Sequence, residues 1–201
     1  MTYKAVIFDF GRVLIDWNPR AIYTDDDFVS DGDFKEFLDF IMPFQLCTDA
    51  GLAFENIFPF VAQRFPQKKY LVEKWQNNFE LSIQEPLWET VEILKEIKSK
   101  TDLKLFGLTN FAEKLCHQTM ARYDFFGTFD DVVISGAEGL VKPFEAIYHI
   151  LPKRHKLRMN ECIFIDDNAA NIHMANQLGI YGILFEDAQK LRAELACLNI
   201  L

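Results

Sequence analysis

The chain has 201 residues, half of them apolar, enough to bury a full core in one large domain or in one domain carrying an insert. A formal charge of −9 and a pI near 4.9 argue against nucleic acid and anionic membranes as partners, and require local cations wherever an anionic substrate binds. No apolar run approaches the ~20 residues of a membrane span, a strand begins within a few residues of Met1, leaving no signal peptide, and Cys47, Cys116, Cys162 and Cys197 have no metal-ligand spacing, so a cytoplasmic protein with small core cysteines is expected.

The first element is a short apolar strand, Ala5-Val6-Ile7-Phe8, ending at Asp9-Phe10-Gly11-Arg12-Val13. Asp16-Trp17-Asn18-Pro19 breaks the pattern. From about Arg20 to Glu85 no parallel-strand run follows, but Phe34, Phe37, Leu38 and Ile41 have helical spacing, and 54–58 and 70–75 are further helical stretches. These residues are read as a helical insert that cannot join a sheet. Its aromatics Phe28, Phe34, Phe44 and Phe54, with Trp17, suit helix–helix core, or alternatively an apolar pocket. Asp25-Asp26-Asp27 suits a solvated turn or helix start, since three adjacent side chains rarely face one ion.

The pattern changes at Glu85-Pro86. Pro86 suits a first helical turn, and Leu87, Val91, Leu94 and Ile97 form a stripe at spacings of three and four. Leu103–Leu108 is a strand ending at Thr109-Asn110, followed by a helix with Leu115, Thr119 and Met120 on one side. Val132–Ile134 is a strand, 139–143 a loop and Phe144–Leu151 a helix. Cys162-Ile163-Phe164-Ile165 is a strand ending at Asp166-Asp167-Asn168. A helix over Ala169–Leu178 stops at Gly179, and 181–185 is the last strand. Alternating strands and helices predict an α/β fold with a doubly wound parallel sheet.

In such a sheet the C-terminal ends of the strands share one edge, and ligands bind outside it. Asp9, Asp166 and Asp167 therefore meet there, and three carboxylates in one crevice call for a hard cation such as Mg²⁺. Thr109 and Asn110 add neutral donors and Lys142 a positive charge. A carboxylate, a cation, neutral donors and a metal site suit phosphoryl transfer, with Asp9 as nucleophile and an aspartyl-phosphate that water cleaves. Taken singly, each residue also suits a turn, a helix cap or a solvated charge.

Four motifs in order resemble those of the haloacid dehalogenase-like (HAD) hydrolases: Val6–Leu14 around Asp9, Leu108-Thr109-Asn110, Gly139–Pro143 around Lys142, and Phe164–Ile172 around Asp166-Asp167. The stretch Ala175–Ile180 is similar to the family's continuation. The resemblance implies a Rossmann-like core of residues 1–16 and 86–201 with a helical cap domain at 17–85. It implies Asp9 as nucleophile and metal ligand, the Gly11 carbonyl as a second ligand, and Asp167 as a direct ligand, with Asp166 in direct contact or one layer out. Thr109 and the Asn110 backbone would hold phosphate, and Lys142 would bridge phosphate and nucleophile.

There is one departure. Most phosphatases of the family place a general acid–base Asp two residues after the nucleophile, where this chain has Gly11, and such a group is worth ~10²–10⁴-fold in rate. The resemblance therefore implies a Mg²⁺-dependent phosphatase of a small phosphorylated metabolite, similar to bacterial sugar-phosphate and glucose 1-phosphate phosphatases, with the proton supplied by the cap or the substrate. Asp16 and Asp49 are the cap-side candidates by residue type. The alternatives are a slow or inactive phospho-ligand-binding protein, and a 2-haloacid dehalogenase, against which the acidic pair argues. Either a monomer or a homodimer is compatible with the sequence.

Overall fold

The computed structural model describes residues 2–201. The elements run in chain order: β1 Ala5–Phe8, β2 Ile15–Trp17, α1 Asp31–Asp49, α2 Phe54–Arg64, α3 Lys69–Asn78, β3 Ile83–Pro86, α4 Trp88–Lys100, β4 Lys104–Thr109, α5 Glu113–Met120, β5 Asp131–Ile134, α6 Ser135–Glu138, α7 Glu145–Tyr148, α8 Ile150–His155, β6 Cys162–Asp166, α9 Ala169–Gln177, β7 Tyr181–Leu184 and α10 Ala188–Cys197.

Five strands form a parallel sheet in the order β5-β4-β1-β6-β7. β1 is the central strand, and all four of its residues are buried. This is why it reads as an unbroken apolar run rather than an alternating one. Alternate residues serve opposite faces: Val6 and Phe8 join Leu94, Ile97 and Leu195 of α4 and α10, whereas Ala5 and Ile7 join Ile147, Leu151 and Ala175 of α7, α8 and α9. The register sets Phe8 beside Gly107 and Ile165, so Asp9, Thr109 and Asp166 leave the sheet at one edge. Gly107 is fixed by packing, because a Cβ there would lie 2.7 Å from the Phe10 ring.

Between β2 and β3 the chain is helical and builds a third apolar cluster, centred on Phe37, Ile41, Phe58, Val72 and Trp75. Phe28, Phe34, Phe44 and Phe54 pack against that cluster rather than into an open pocket. Asp25–Asp27 is a single 3₁₀ turn, but only partly solvated: Asp27 pairs with Lys74 at 2.6 Å.

Several local expectations are corrected. Pro86 does not open a helix: it ends β3, opposite Ile15, in a two-stranded antiparallel ribbon that escaped the sequence reading because its strands are three and four residues long. The helix expected over 144–151 is two short helices, α7 and α8, meeting at His149. In α5, Leu115, Thr119 and Met120 do turn inward as expected, Thr119 buried and the other two half-buried, and Cys116 joins them in the core. Cys116 and Cys162 are core residues, but Cys197 is exposed. Among the described residues no helix is long and apolar enough to cross a membrane.

Candidate active site

The sheet edge gathers the predicted residues into one cleft of about 710 Å³, lined by Asp9, Gly11, Thr109, Asn110, Lys142 and Asp167 among others. Asp9 follows β1 directly, and its Oδ1 accepts from the Phe10 amide at 2.7 Å. Lys142 is 2% exposed, and its Nζ lies 2.8 Å from Asp9 Oδ1 and 2.7 Å from Asp166 Oδ2. Its third contact is the Leu108 carbonyl at 2.9 Å, so all three ammonium donors have partners.

The side chain of Asn110 has an unforeseen role. It clamps the Lys142 backbone, donating to the carbonyl at 2.9 Å and accepting from the amide at 2.8 Å. Thr109 is buried at the end of β4 and lines the cleft.

Asp166 is completely buried and held by a residue the sequence reading did not single out. Asn171 Nδ2 donates to both Asp166 oxygens, at 2.9 and 3.0 Å, and the Asn168 amide donates to Oδ1 at 2.8 Å. Asn168 caps α9, which places Asn171 three residues on, in the first turn, where a polar side chain reaches back past the helix start. That spacing was the available signal. Arg12, also unforeseen, has φ 58° and sets its guanidinium 3.9 Å from Asp167 Oδ2, over the Trp17 ring.

Asp9, Asp166 and Asp167 each offer an oxygen, and the three oxygens lie within 4.8 Å of one another. Burial pushes the Asp9 carboxyl up to about 7; Lys142 opposes this and Asp166 adds to it. Asp167 is also raised, by burial and then by Asp166. Burial works to lower Lys142, but Asp166 and Asp9 outweigh it and hold the ammonium charged. The site thus holds more buried negative charge than Lys142 and the distant Arg12 balance. A cluster of hard oxygen donors with a charge deficit fits Mg²⁺. Gly11 lines the cleft with no side chain to contribute.

The two cap-side acids separate. Asp16 is exposed on β2, whereas Asp49 is buried and faces the cleft. The rest of that side is mainly apolar, with Leu38, Met42 and Leu46 of α1 facing Trp17, Phe79 and Ile83.

The family model of haloacid dehalogenase-like hydrolases matches residues 3–179. A sesquiterpene phosphatase, astK, of Aspergillus oryzae is 26% identical over 96% of this chain and 95% of its own length. A drimenol cyclase, drtB, of Aspergillus calidoustus is 26% identical over 46% of this chain, and the match spans only 18% of that longer protein. Among solved structures, a predicted HAD-like family hydrolase from Porphyromonas gingivalis superposes with TM-score 0.73 at 21% identity, over 99% of this chain and 98% of that one. A HAD family enzyme of Bacteroides thetaiotaomicron, in a magnesium complex, superposes with TM-score 0.72 at 16% identity, over 98% and 99%. Likeness at this level of identity speaks for the fold.

Proposed function

The chain belongs to the haloacid dehalogenase-like hydrolase family, and on that premise we propose that it is a Mg²⁺-dependent phosphatase of small phosphate monoesters, working through an aspartyl-phosphate. The observation that carries this reading is the Asp9–Lys142–Asp166 triad beside Asp167 at one sheet edge. Asp9 Oδ1 is engaged by Phe10 and Lys142, which leaves Oδ2 to attack phosphorus. Lys142 fixes that carboxylate and neutralises phosphate charge, while Thr109 and the Asn110 backbone receive the phosphate oxygens. Asp9, Asp166, Asp167 and the Gly11 carbonyl would hold Mg²⁺, which when bound neutralises charge on the phosphate.

Residues 17–85 serve as the cap over a core of 1–16 and 86–201. The apolar lining from α1 supports a leaving group of low polarity in preference to a sugar, and a relative that spans nearly the whole chain is a sesquiterpene phosphatase. The protein is proposed to act in the cytoplasm on a small phosphorylated metabolite, as a monomer or homodimer. A second reading, slow turnover or simple binding of a phosphorylated ligand, rests on Gly11 alone.

The test is phosphate release with Mg²⁺ from a panel pairing alkyl and prenyl phosphates with sugar phosphates. Higher kcat/KM on the apolar esters supports the reading. Preference for sugar phosphates overturns the substrate class, and binding without turnover favours the second reading.

A further inference from the structure

Gly11 leaves open which group protonates the leaving oxygen and deprotonates the attacking water. We infer that the Asp49 carboxyl, reaching the cleft from the C-terminal end of α1, is the general acid and base of the cycle. This assignment rests on the phosphatase reading and names a residue for it.

The geometry is that of a held side chain, not a surface acid. Asp49 is 8% exposed and lines the same cleft as Asp9, Lys142 and Asp167. Gln45, one turn earlier on α1, donates from Nε2 to Asp49 Oδ1 at 2.9 Å. Gln45 is itself fixed, because its Oε1 accepts from Trp75 Nε1 at 2.9 Å inside the helical cluster. No hydrogen bond among the described residues occupies Asp49 Oδ2.

The main chain is tied to the catalytic edge as well. The Asp49 carbonyl accepts from Ser135 Oγ at 2.6 Å, and the same Oγ accepts from the Phe111 amide at 2.8 Å, two residues after Thr109. Two residues beyond Asp49, Gly51 passes so close to Gly136 that a Cβ would lie 2.7 Å from its carbonyl oxygen. The end of α1 is therefore docked against the loop that follows β4 and the start of α6. Of the other acids on this side, Asp16 is exposed outside the cleft, and Asp39 sits at its mouth, two-thirds exposed and paired with Lys35.

Burial moves the Asp49 carboxyl to about 7, against the opposing pull of Gln45 and of the Lys142 charge. A group near neutrality is available in both protonation states, as an acid that must then act as a base requires.

The steps balance. In the first, Asp9 Oδ2 forms a bond to phosphorus, the ester P–O bond breaks, and the leaving oxygen takes the electron pair and the Asp49 proton, departing as an alcohol. In the second, water attacks phosphorus and gives a proton to Asp49, the Asp9 O–P bond breaks, and inorganic phosphate leaves. Asp49 ends protonated and Asp9 ends as carboxylate.

Asp49→Asn keeps an acceptor for Gln45, and Asp49→Ala is the second variant. Both are assayed with Mg²⁺ on an alkyl phosphate and on p-nitrophenyl phosphate, whose leaving group departs without a proton, with thermal melts to confirm folding. The expected result is an alkyl kcat lower by ~10²–10⁴-fold, alongside a nitrophenol burst as fast as wild type and slow steady-state release. A structural role would slow the nitrophenol burst as well. A burst slowed as much as alkyl turnover, or unchanged alkyl turnover, overturns the assignment while leaving the phosphatase reading intact. Wild-type protein silent on every ester removes that reading and the assignment together.

Discussion

Lys142 Nζ lies 2.7 Å from Asp166 Oδ2, and both side chains are almost completely withdrawn from water. The same ammonium reaches Asp9 at 2.8 Å, so a single cation holds two carboxylates from two neighbouring strands. An arrangement of this kind is weak evidence for stability in itself, since desolvation offsets much of the attraction. Breaking it is another matter. Lys142→Met leaves two buried carboxylates without their cation, and unfolding in urea with EDTA should show a loss of ~3–5 kcal/mol. A variant as stable as wild type would mean that water already reaches the pair.

Asn171 orients Asp166 from behind, with Nδ2 contacts of 2.9 and 3.0 Å. Asn171→Ala should cost ~1.5–3 kcal/mol for hydrogen bonds to a charged group. It should also weaken Mg²⁺ affinity by ~10–100-fold, the usual effect of removing a residue that orients a ligand. Isothermal titration with Mg²⁺ checks this, and unchanged affinity would remove Asp166 from the metal site.

Acid stability follows from pairs far from the cleft. Burial works to raise Asp27, but Lys74 and the Thr24 amide and hydroxyl bring it down to about 2. Asp130 is likewise held at about 2, where the Leu105 amide and Lys104 and Lys98 outweigh burial. Both lie below the ordinary 3.8, so the unfolded chain binds the protons first. The stability they contribute is complete above about pH 4 and is lost as pH falls toward 2. Thermal melts across that window should fall steeply for wild type and less steeply for Asp27→Asn.

Asp49 has the opposite sign. Its folded value of about 7 lies above the ordinary 3.8, so its protonated form favours folding and that contribution is lost as pH rises through neutrality. Asp49→Asn should therefore gain in melting temperature relative to wild type at pH 8 more than at pH 5. An equal difference at both would place the carboxyl in contact with bulk water.

Specificity should reside in α1. Met42 faces the cleft, and Met42→Ser removes apolar contact at ~0.8 kcal/mol per methylene-sized group. The KM for an alkyl phosphate should rise several-fold with inhibition by inorganic phosphate unchanged. A shift in both would show that the helix moved.

The sheet was legible because β1, β4 and β6 are buried on both faces and read as apolar runs stopped by polar residues. The sites of Asp9, Thr109, Lys142 and Asp166 were legible for the same reason: each lies where a strand or loop reaches one edge. The ribbon of β2 and β3 was not, since strands of three and four residues carry no periodicity and Pro86 favours a helical reading. Asp49 could be named by type but not chosen over Asp16. Their difference is made by the docking of α1 through Ser135 and Gly136, contacts more than 80 positions away in sequence. The apolar cleft depends on the same docking.

The most direct measurement is steady-state phosphate release with Mg²⁺ by wild type and Asp9→Asn, on the best ester of the panel. The account predicts turnover by wild type, its loss on adding EDTA, and none by a variant whose melt shows it to be folded. Turnover that survives Asp9→Asn would contradict the covalent mechanism at its first step.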